Sequence, residues 1–357
     1  MWCDHRLLDL FGIEHPIIQA PMANSSDVEL AVAVAVAGGL GSLPAGTLDA
    51  EKLRAHIAAF RERAPGKPVN VNFFTHRQPT PNNAREAAWR EALKPYYVEY
   101  GIDPGAPVTS ANRAPFNAAL CDVIEALRPE VVSFHYGLPA ADLLARVQAA
   151  DCKVMCSATT VVEAKHLAAN GCDAIIAQGN EAGGHRGMFL TEDVAAQPGT
   201  FALVPQVADA VSVPVIAAGG IGDARGIVAA LVLGAAGVQL GTAYLHCPEA
   251  TVSPPHRARL RDAAEHPTVV TNVMTGRPAR GFVNRVMREL GAVSEIAPEF
   301  PLAAAALAPL AAKTKETGEF ASLWAGQAAA LGTELPAREL TLKLAREAQD
   351  LLRRLGG

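Results

Sequence analysis

Eight short apolar runs alternate with amphipathic stretches along the first two-thirds of this chain, and no other feature restricts its fold as much. The runs are Pro16–Ala20, Leu40–Leu43, Val69–Phe73, Val131–His135, Lys153–Ser157, Ala174–Ala177, Val213–Ala218 and Val238–Gly241. Runs this short and this apolar suit strands buried on both faces, as in a parallel sheet. Helical patterns fall between them at Val28–Ala37, Ala50–Arg63, Ala140–Ala149, Val161–Ala169 and Asp223–Leu233. Gly38, Gly171 and Gly234 close several of these stretches, where a helix needs a left-handed residue. Eight strands with intervening helices over roughly 250 residues predict an α/β fold, a TIM (β/α)8 barrel. An open doubly wound sheet is the rival. It would carry its phosphate loop after the first strand, where this chain reads Gln19-Ala-Pro-Met22 without a G-x-G-x-x-G pattern.

Two segments break the repeat. Residues 75–113, rich in Pro, Asn and Tyr, are too long for a simple strand-to-helix connection. They predict an excursion after strand 3 with a helix near Asn83–Leu93, lying over the carboxyl face of the barrel. From about Pro267 the pattern turns helical, at Leu302–Ala312, Phe320–Ala330 and Arg338–Leu355. The expected division is therefore a barrel over 1–266 and a C-terminal helical extension over 267–357, packed near the barrel mouth.

Composition narrows the function. Of 357 residues half are hydrophobic, which suits one large domain with an appendage. A net charge of −5 gives no basic field for nucleic acid or an anionic membrane. The six cysteines are scattered, and the nearest pair, Cys152 and Cys156, does not form a C-x-x-C motif. No metal site is expected, and reduced core cysteines fit a cytoplasmic protein. The amino terminus lacks the apolar stretch of a secretory signal. Gly226–Leu245 is uncharged and long enough to cross a bilayer, but Gly234, Gly237 and Gly241 interrupt it. It reads as a helix followed by a buried strand, in a soluble protein for which self-association is left open.

The chemistry concentrates at the strand ends. Gln178-Gly-Asn-Glu-Ala-Gly-Gly-His-Arg-Gly187 follows the sixth run and holds one histidine, His185, on a glycine-rich loop. Asn72, His135, Gln178, Gly219, Gly220, Gly241 and Thr242 fall at or just past other strand ends, which a barrel gathers into one ring. The turns Ala217-Ala-Gly-Gly-Ile-Gly222 and Gln239-Leu-Gly-Thr242 follow strands seven and eight, the usual phosphate-binding position of this architecture. Their backbone N–H groups suit an anion. Arg186 reads as an ordinary loop arginine, and Arg277 is left open as a source of positive charge. Lys313 and Lys315 cannot be placed from the sequence. His5, His15, His56, His166 and His256 read as surface or packing residues.

Several of these segments together resemble one family. Pro16-Ile-Ile-Gln-Ala-Pro-Met22, Asn72-Phe-Phe, Ser133-Phe-His-Tyr-Gly-Leu-Pro139, Glu181-Ala-Gly-Gly-His-Arg-Gly187, Ala218-Gly-Gly-Ile221 and Gln239-Leu-Gly-Thr242 are similar to motifs of nitronate monooxygenases, formerly called 2-nitropropane dioxygenases. Thr275-Gly-Arg-Pro-Ala-Arg-Gly281 and Leu323-Trp-Ala-Gly-Gln327 resemble the tail of the class I branch. The resemblance covers nearly the whole chain. It implies a TIM barrel holding FMN without a covalent link. The matching positions are Met22, Asn72, Gln178, Gly183, Gly220, Gln239, Leu240, Gly241 and Thr242, with Gly219 in the same turn as Gly220. His185 matches the family's catalytic histidine, and His135 is a second candidate.

The implied reaction takes an alkyl nitronate, and O2 as co-substrate, to a carbonyl compound and nitrite without a nicotinamide nucleotide. Residue chemistry leaves two roles open for His185. It accepts a proton from a neutral nitroalkane, or as imidazolium it holds the nitronate anion. Two other readings stay open: an FMN-dependent NAD(P)H:quinone or enoyl-thioester reductase, and a barrel that binds a phosphorylated ligand without redox chemistry.

Overall fold

The computed structural model describes residues 2–80, 82–107 and 113–356. Its strands are β1 (Ile17–Gln19), β2 (Gly41–Pro44), β3 (Val69–Phe74), β4 (Val131–His135), β5 (Lys153–Ala158), β6 (Ala174–Gln178), β7 (Gly184–His185), β8 (Val215–Ala218), β9 (Gly237–Leu240), β10 (Thr268–Thr271) and β11 (Ala279–Phe282). The helices are α1 (Arg6–Phe11), α2 (Val28–Val36), α3 (Ala50–Arg63), α4 (Asn83–Glu99), α5 (Ala118–Leu127), α6 (Ala141–Ala149) and α7 (Val161–Ala169). They continue with α8 (Thr200–Ala210), α9 (Ala224–Val232), α10 (Thr242–Leu245), α11 (Pro254–Arg261), α12 (Arg285–Leu290), α13 (Ala303–Lys313) and α14 (Ala337–Gly356).

Eight parallel strands form one sheet in the order β1-β9-β8-β6-β5-β4-β3-β2. The ring closes between its end strands, where Ile18 bridges Leu40 and the Leu40 N–H donates to Ile17 O at 2.9 Å. This is the (β/α)8 barrel that the alternation predicts. Strand residues such as Ile17, Val71, Val132, Ile175 and Val238 have no exposed surface, which accounts for the unbroken apolar runs. Gly226–Leu245 divides into α9 and β9, and among the described residues no helix is long and apolar enough to cross a membrane.

The two segments that break the repeat meet each other. In the excursion, α4 runs six residues past the expected end at Leu93 and carries Pro95 inside it. Burial of Tyr96 and Tyr97 against the tail outweighs the backbone bond that proline forfeits. Trp89, Leu93, Tyr96 and Tyr97 share a second core with Leu307, Leu310 and Phe320 of the tail. Two hydrogen bonds lock it, from Trp89 Nε1 to Ala303 O at 3.2 Å and from Tyr97 Oη to Ala306 O at 2.6 Å.

The tail is not helical throughout. β10 and β11 pair antiparallel, and β11 also pairs with β7, Ala279 opposite His185 and Arg280 opposite Gly184. Phe320–Ala330, expected to be helical, has only a short 3-10 turn at its end. Its backbone bonds go elsewhere: Gly326 N–H donates to Thr242 Oγ1 (2.9 Å) and Gln327 N–H to Glu181 O (2.9 Å). The last helix, α14, lies on the outer wall between α2 and α9. It buries Leu340, Leu344, Ala345 and Ala348 in the main core and covers the flank that α10, one turn long, leaves open.

Candidate active site

The loop carrying His185 is built from its two ends. Gln178 closes β6, and its side-chain amide bridges the loop, donating Nε2 to His185 O (3.0 Å) and accepting Gly187 N–H at Oε1 (2.7 Å). Arg186, fully buried, donates Nη2 to Gln178 O (2.9 Å), Nη1 to Gly179 O (2.8 Å) and Nε to Gln197 Oε1 (2.7 Å). All three contacts hold loop backbone or its support, so Arg186 braces the loop from beneath. Gly179 has no room for a side chain, since a Cβ there would lie 1.9 Å from Thr200 Oγ1.

Both ring nitrogens of His135 are engaged. Nε2 meets His185 O at 3.1 Å, and because a carbonyl only accepts, that nitrogen carries the proton. Nδ1 then accepts from Ser157 Oγ at 3.1 Å. Burial pushes the His135 value down to about 3, so the ring is neutral and supports the backbone of His185. His185 itself meets Thr275 Oγ1 through Nε2 at 2.9 Å. The threonine hydroxyl in turn lies 3.4 Å from Arg277 O, to which it donates. It therefore accepts from His185 Nε2–H, and Nδ1 is left with the free lone pair. Burial first, and then the charge of Arg113, holds the His185 value well below the ordinary 6.5. The imidazole is neutral, which favours a proton acceptor over an imidazolium that holds an anion.

One cavity of about 470 Å³ collects nearly every residue that the sequence singles out. Met22, Asn72, His135, Gln178, Gly183, His185, Gly219, Gly220, Gln239, Gly241 and Thr242 all line it. Leu240 does not. Strand residues alternate in direction, so Gln239 borders the cavity while the Leu240 side chain belongs to the apolar core. His256, read from sequence as a surface or packing residue, also lines the cavity and meets Trp324 O through Nε2 at 3.1 Å. A wider, open crevice of about 950 Å³ lies between α9 and α14. It is lined by charged side chains such as Arg225, Lys343 and Asp350 and holds no histidine or glycine turn, so it lacks the chemistry of the first.

Other residues at this site were not singled out from the sequence, and of them only Phe74 and Ser157 fall at strand ends. Phe74, Arg113, Ser133, Ser157 and Trp324 line the cavity. Phe300 packs against the His185 ring at 5.3 Å and Trp324 at 5.4 Å. Tyr136, held at φ 80, lies under the Arg277 guanidinium at 4.1 Å. Arg113 and Phe300 come from the excursion and the tail, where no periodicity announces them. The Ser133–Pro139 and Thr275–Gly281 motifs are the only signals that pointed to Tyr136 and Thr275. Lys313 and Lys315 do not line the cavity.

A (β/α)8 barrel with a buried histidine and two glycine turns around one strand-end cavity belongs to the class of barrel proteins that place their site at the carboxyl ends of the strands. The family model described as "Nitronate monooxygenase" matches residues 4–347, and the chain belongs to that family of oxidoreductases. It is 44% identical over 346 residues to a nitronate monooxygenase of Pseudomonas aeruginosa, covering 96% of this chain and 98% of the relative. A nitronate monooxygenase of Paraburkholderia phytofirmans is 43% identical over 355 residues, 98% of this chain and 96% of the relative. Among solved structures, a nitroalkane oxidase from Streptomyces ansochromogenes superposes with a TM-score of 0.88 at 36% identity, covering 98% of this chain and 99% of the other.

The family is flavin-dependent, and the residues present fit such a group. Gln239 Oε1 is buried with no hydrogen-bond partner among the described residues, as expected for an acceptor awaiting a ligand N–H. Gly219 and Gly220 adopt φ +106 and +71, turning backbone toward the cavity in a conformation that side-chain-bearing residues avoid. A Cβ at Gly241 would project into the space between Ala20 Cβ and Met22 Sδ, 3.6 and 3.8 Å away.

Proposed function

We propose that the protein binds FMN at this cavity and oxidises alkyl nitronates, and nitroalkanes after deprotonation, with O2 to carbonyl compounds and nitrite. The observation that carries this reading is the convergence on one cavity of a neutral histidine, the strand-end amides and both glycine turns. Met22, Asn72, Gln178, Gly183 and the turn residues Gly219, Gly220 and Gln239–Thr242 are proposed to hold the cofactor. The glycine turns would take its phosphate, and the amides the edge of its ring. FMN, when bound, supplies the redox chemistry by accepting electrons from the substrate and passing them to O2.

His185 Nδ1 takes the proton from the carbon next to a nitro group, while Thr275 fixes the ring through Nε2. His135 and Gln178 both bond His185 O and hold the backbone of that base in place. Phe74, Phe300 and Trp324 surround the ring and keep water from competing for the proton.

The test is a titration of the purified protein with FMN, followed by separate anaerobic additions of ethyl nitronate and NADH. About one FMN per chain is expected at this single strand-end site. Nitronate should reduce the flavin, NADH should leave it oxidised on the turnover timescale, and readmitted O2 should release nitrite. A chain that ignores FMN overturns the cofactor assignment. Bleaching by NADH at the rate of quinone turnover would make the enzyme a nicotinamide-dependent reductase.

A further inference from the structure

A nitronate is an anion, and a neutral His185 leaves its charge to be met by another residue. Buried guanidinium groups near the cavity are the source, and most of them are already committed. Arg186 spends its donors on the loop. Arg280 donates to Asn180 O at 2.9 Å and Thr268 O at 3.1 Å. Arg277 stacks on Tyr136, donates to Met188 O and does not line the cavity.

Arg113 differs. It lines the cavity, which Arg277 does not, and its Nε, like that of Arg277, is buried without a partner among the described residues. No acidic side chain pairs with it among the described residues, and burial lowers its value. Its guanidinium carbon lies 5.6 Å from the centre of the Phe300 ring, whose centre is in turn 5.3 Å from that of His185. Burying a guanidinium without a carboxylate partner is costly. A site that receives an anionic ligand recovers that cost when the ligand arrives.

We propose that Arg113, supplied by the excursion, is the residue that holds the O–N–O edge of the substrate beside His185 and sets the preference for nitronates. This rests on the reading of a nitronate as substrate. A guanidinium presents parallel N–H donors that match two coplanar oxygens, a match an ammonium cannot make. In a neutral nitroalkane the same oxygens carry no net charge until the proton leaves for His185. Arg113 then contributes to ground-state binding of a nitronate and to the transition state of nitroalkane deprotonation.

The test compares Arg113→Met and Arg113→Lys with the wild type in two measurements. Calorimetry with sodium nitrate, a planar anion bearing the same O–N–O edge, reads binding without turnover. Steady-state kinetics with ethyl nitronate and nitroethane read the two substrate forms. Arg113→Met should weaken nitrate binding and raise KM for ethyl nitronate by about 10- to 100-fold. Its kcat with ethyl nitronate should stay near wild type, and its loss with nitroethane should fall on kcat. Arg113→Lys should recover part of each loss. Unchanged nitrate affinity and nitronate KM in folded Arg113→Met overturns the proposal. If Arg113→Met does not fold, wild-type values in Arg113→Lys overturn the bidentate match. A wild type inert toward nitronates, with nitrate binding that still depends on Arg113, would remove the substrate reading and leave the anion site standing.

Discussion

His185 is fixed at three points: its backbone oxygen by Gln178 and His135, its Nε2 by Thr275, and its ring faces by Phe300 and Trp324. A base held this way should matter only when there is a proton to remove. His185→Asn is expected to cut nitroethane turnover by about 10²–10⁴ and to affect preformed ethyl nitronate far less. Matched steady-state kinetics on flavin-loaded protein check this, and equal losses would make His185 an anion holder. Because its value lies well below 6.5, the wild-type kcat/KM for nitroethane should run level through the ordinary histidine range. An inflection near 6.5 would contradict a buried neutral base. Thr275→Val should lower kcat with nitroethane by about tenfold through loss of one hydrogen bond, and Thr275→Ser should restore it. A loss that serine does not rescue would trace the effect to packing.

At the scale of elements, the glycine turns and the helix–strand contacts do separate jobs. Gly220 sits at φ +71 with room for a Cβ, whose nearest neighbour would be Glu181 Cβ at 3.5 Å. The obstacle there is backbone conformation rather than space. Gly220→Val should therefore fold yet bind FMN about tenfold more weakly, as the turn leaves its left-handed geometry at a cost near 1–2 kcal/mol. A fluorescence titration with FMN reads that change, and unaltered affinity would remove Gly220 from the phosphate turn. Gly41 is the opposite case. A Cβ there would lie 2.1 Å from Ala31 O, so α2 could not keep its seat on β2. Gly41→Ala should lower stability by about 1–3 kcal/mol in a denaturant melt, because the obstructing atom is helix backbone and cannot rotate aside.

For the whole molecule, buried histidines make stability depend on pH. His76 and His256 are buried, and burial pushes each value down to about 4. The unfolded chain takes up these protons near 6.5, whereas the folded chain takes them up only near 4. Protons therefore favour the unfolded state across that window. Stability should be full above about pH 6.5 and fall as pH drops toward 4, by about 1.4 kcal/mol per histidine per pH unit. Thermal melts between pH 7.5 and 5 test the slope, and His256→Asn should lower it by one histidine's share while the other buried rings keep the rest. A melting temperature independent of pH in that range would show that these rings are protonated in the folded chain. The contact between excursion and tail shares in this, since Phe300 of the tail packs on His76 at 4.8 Å.

The barrel was legible along the chain because its signal is local. Strands buried on both faces must be short and apolar, helices that cover them must carry a stripe, and glycine must close each turn. The strand-end residues were legible for the same reason, since counting strands assigns each its place on the ring. Leu240 shares the motif but sends its side chain into the core, because a strand presents only alternate residues to one side. Arg113, Phe300 and the tail strand that pins His185 could not be read this way. Their positions depend on α4 meeting α13 and on β11 pairing with β7, contacts between residues about a hundred or more apart in the chain. The state of His185 is decided there too. Protonation depends on what surrounds the ring, and the surroundings that keep this one neutral are the Phe300 and Trp324 rings packed on it and the charge of Arg113, brought to it by folding alone.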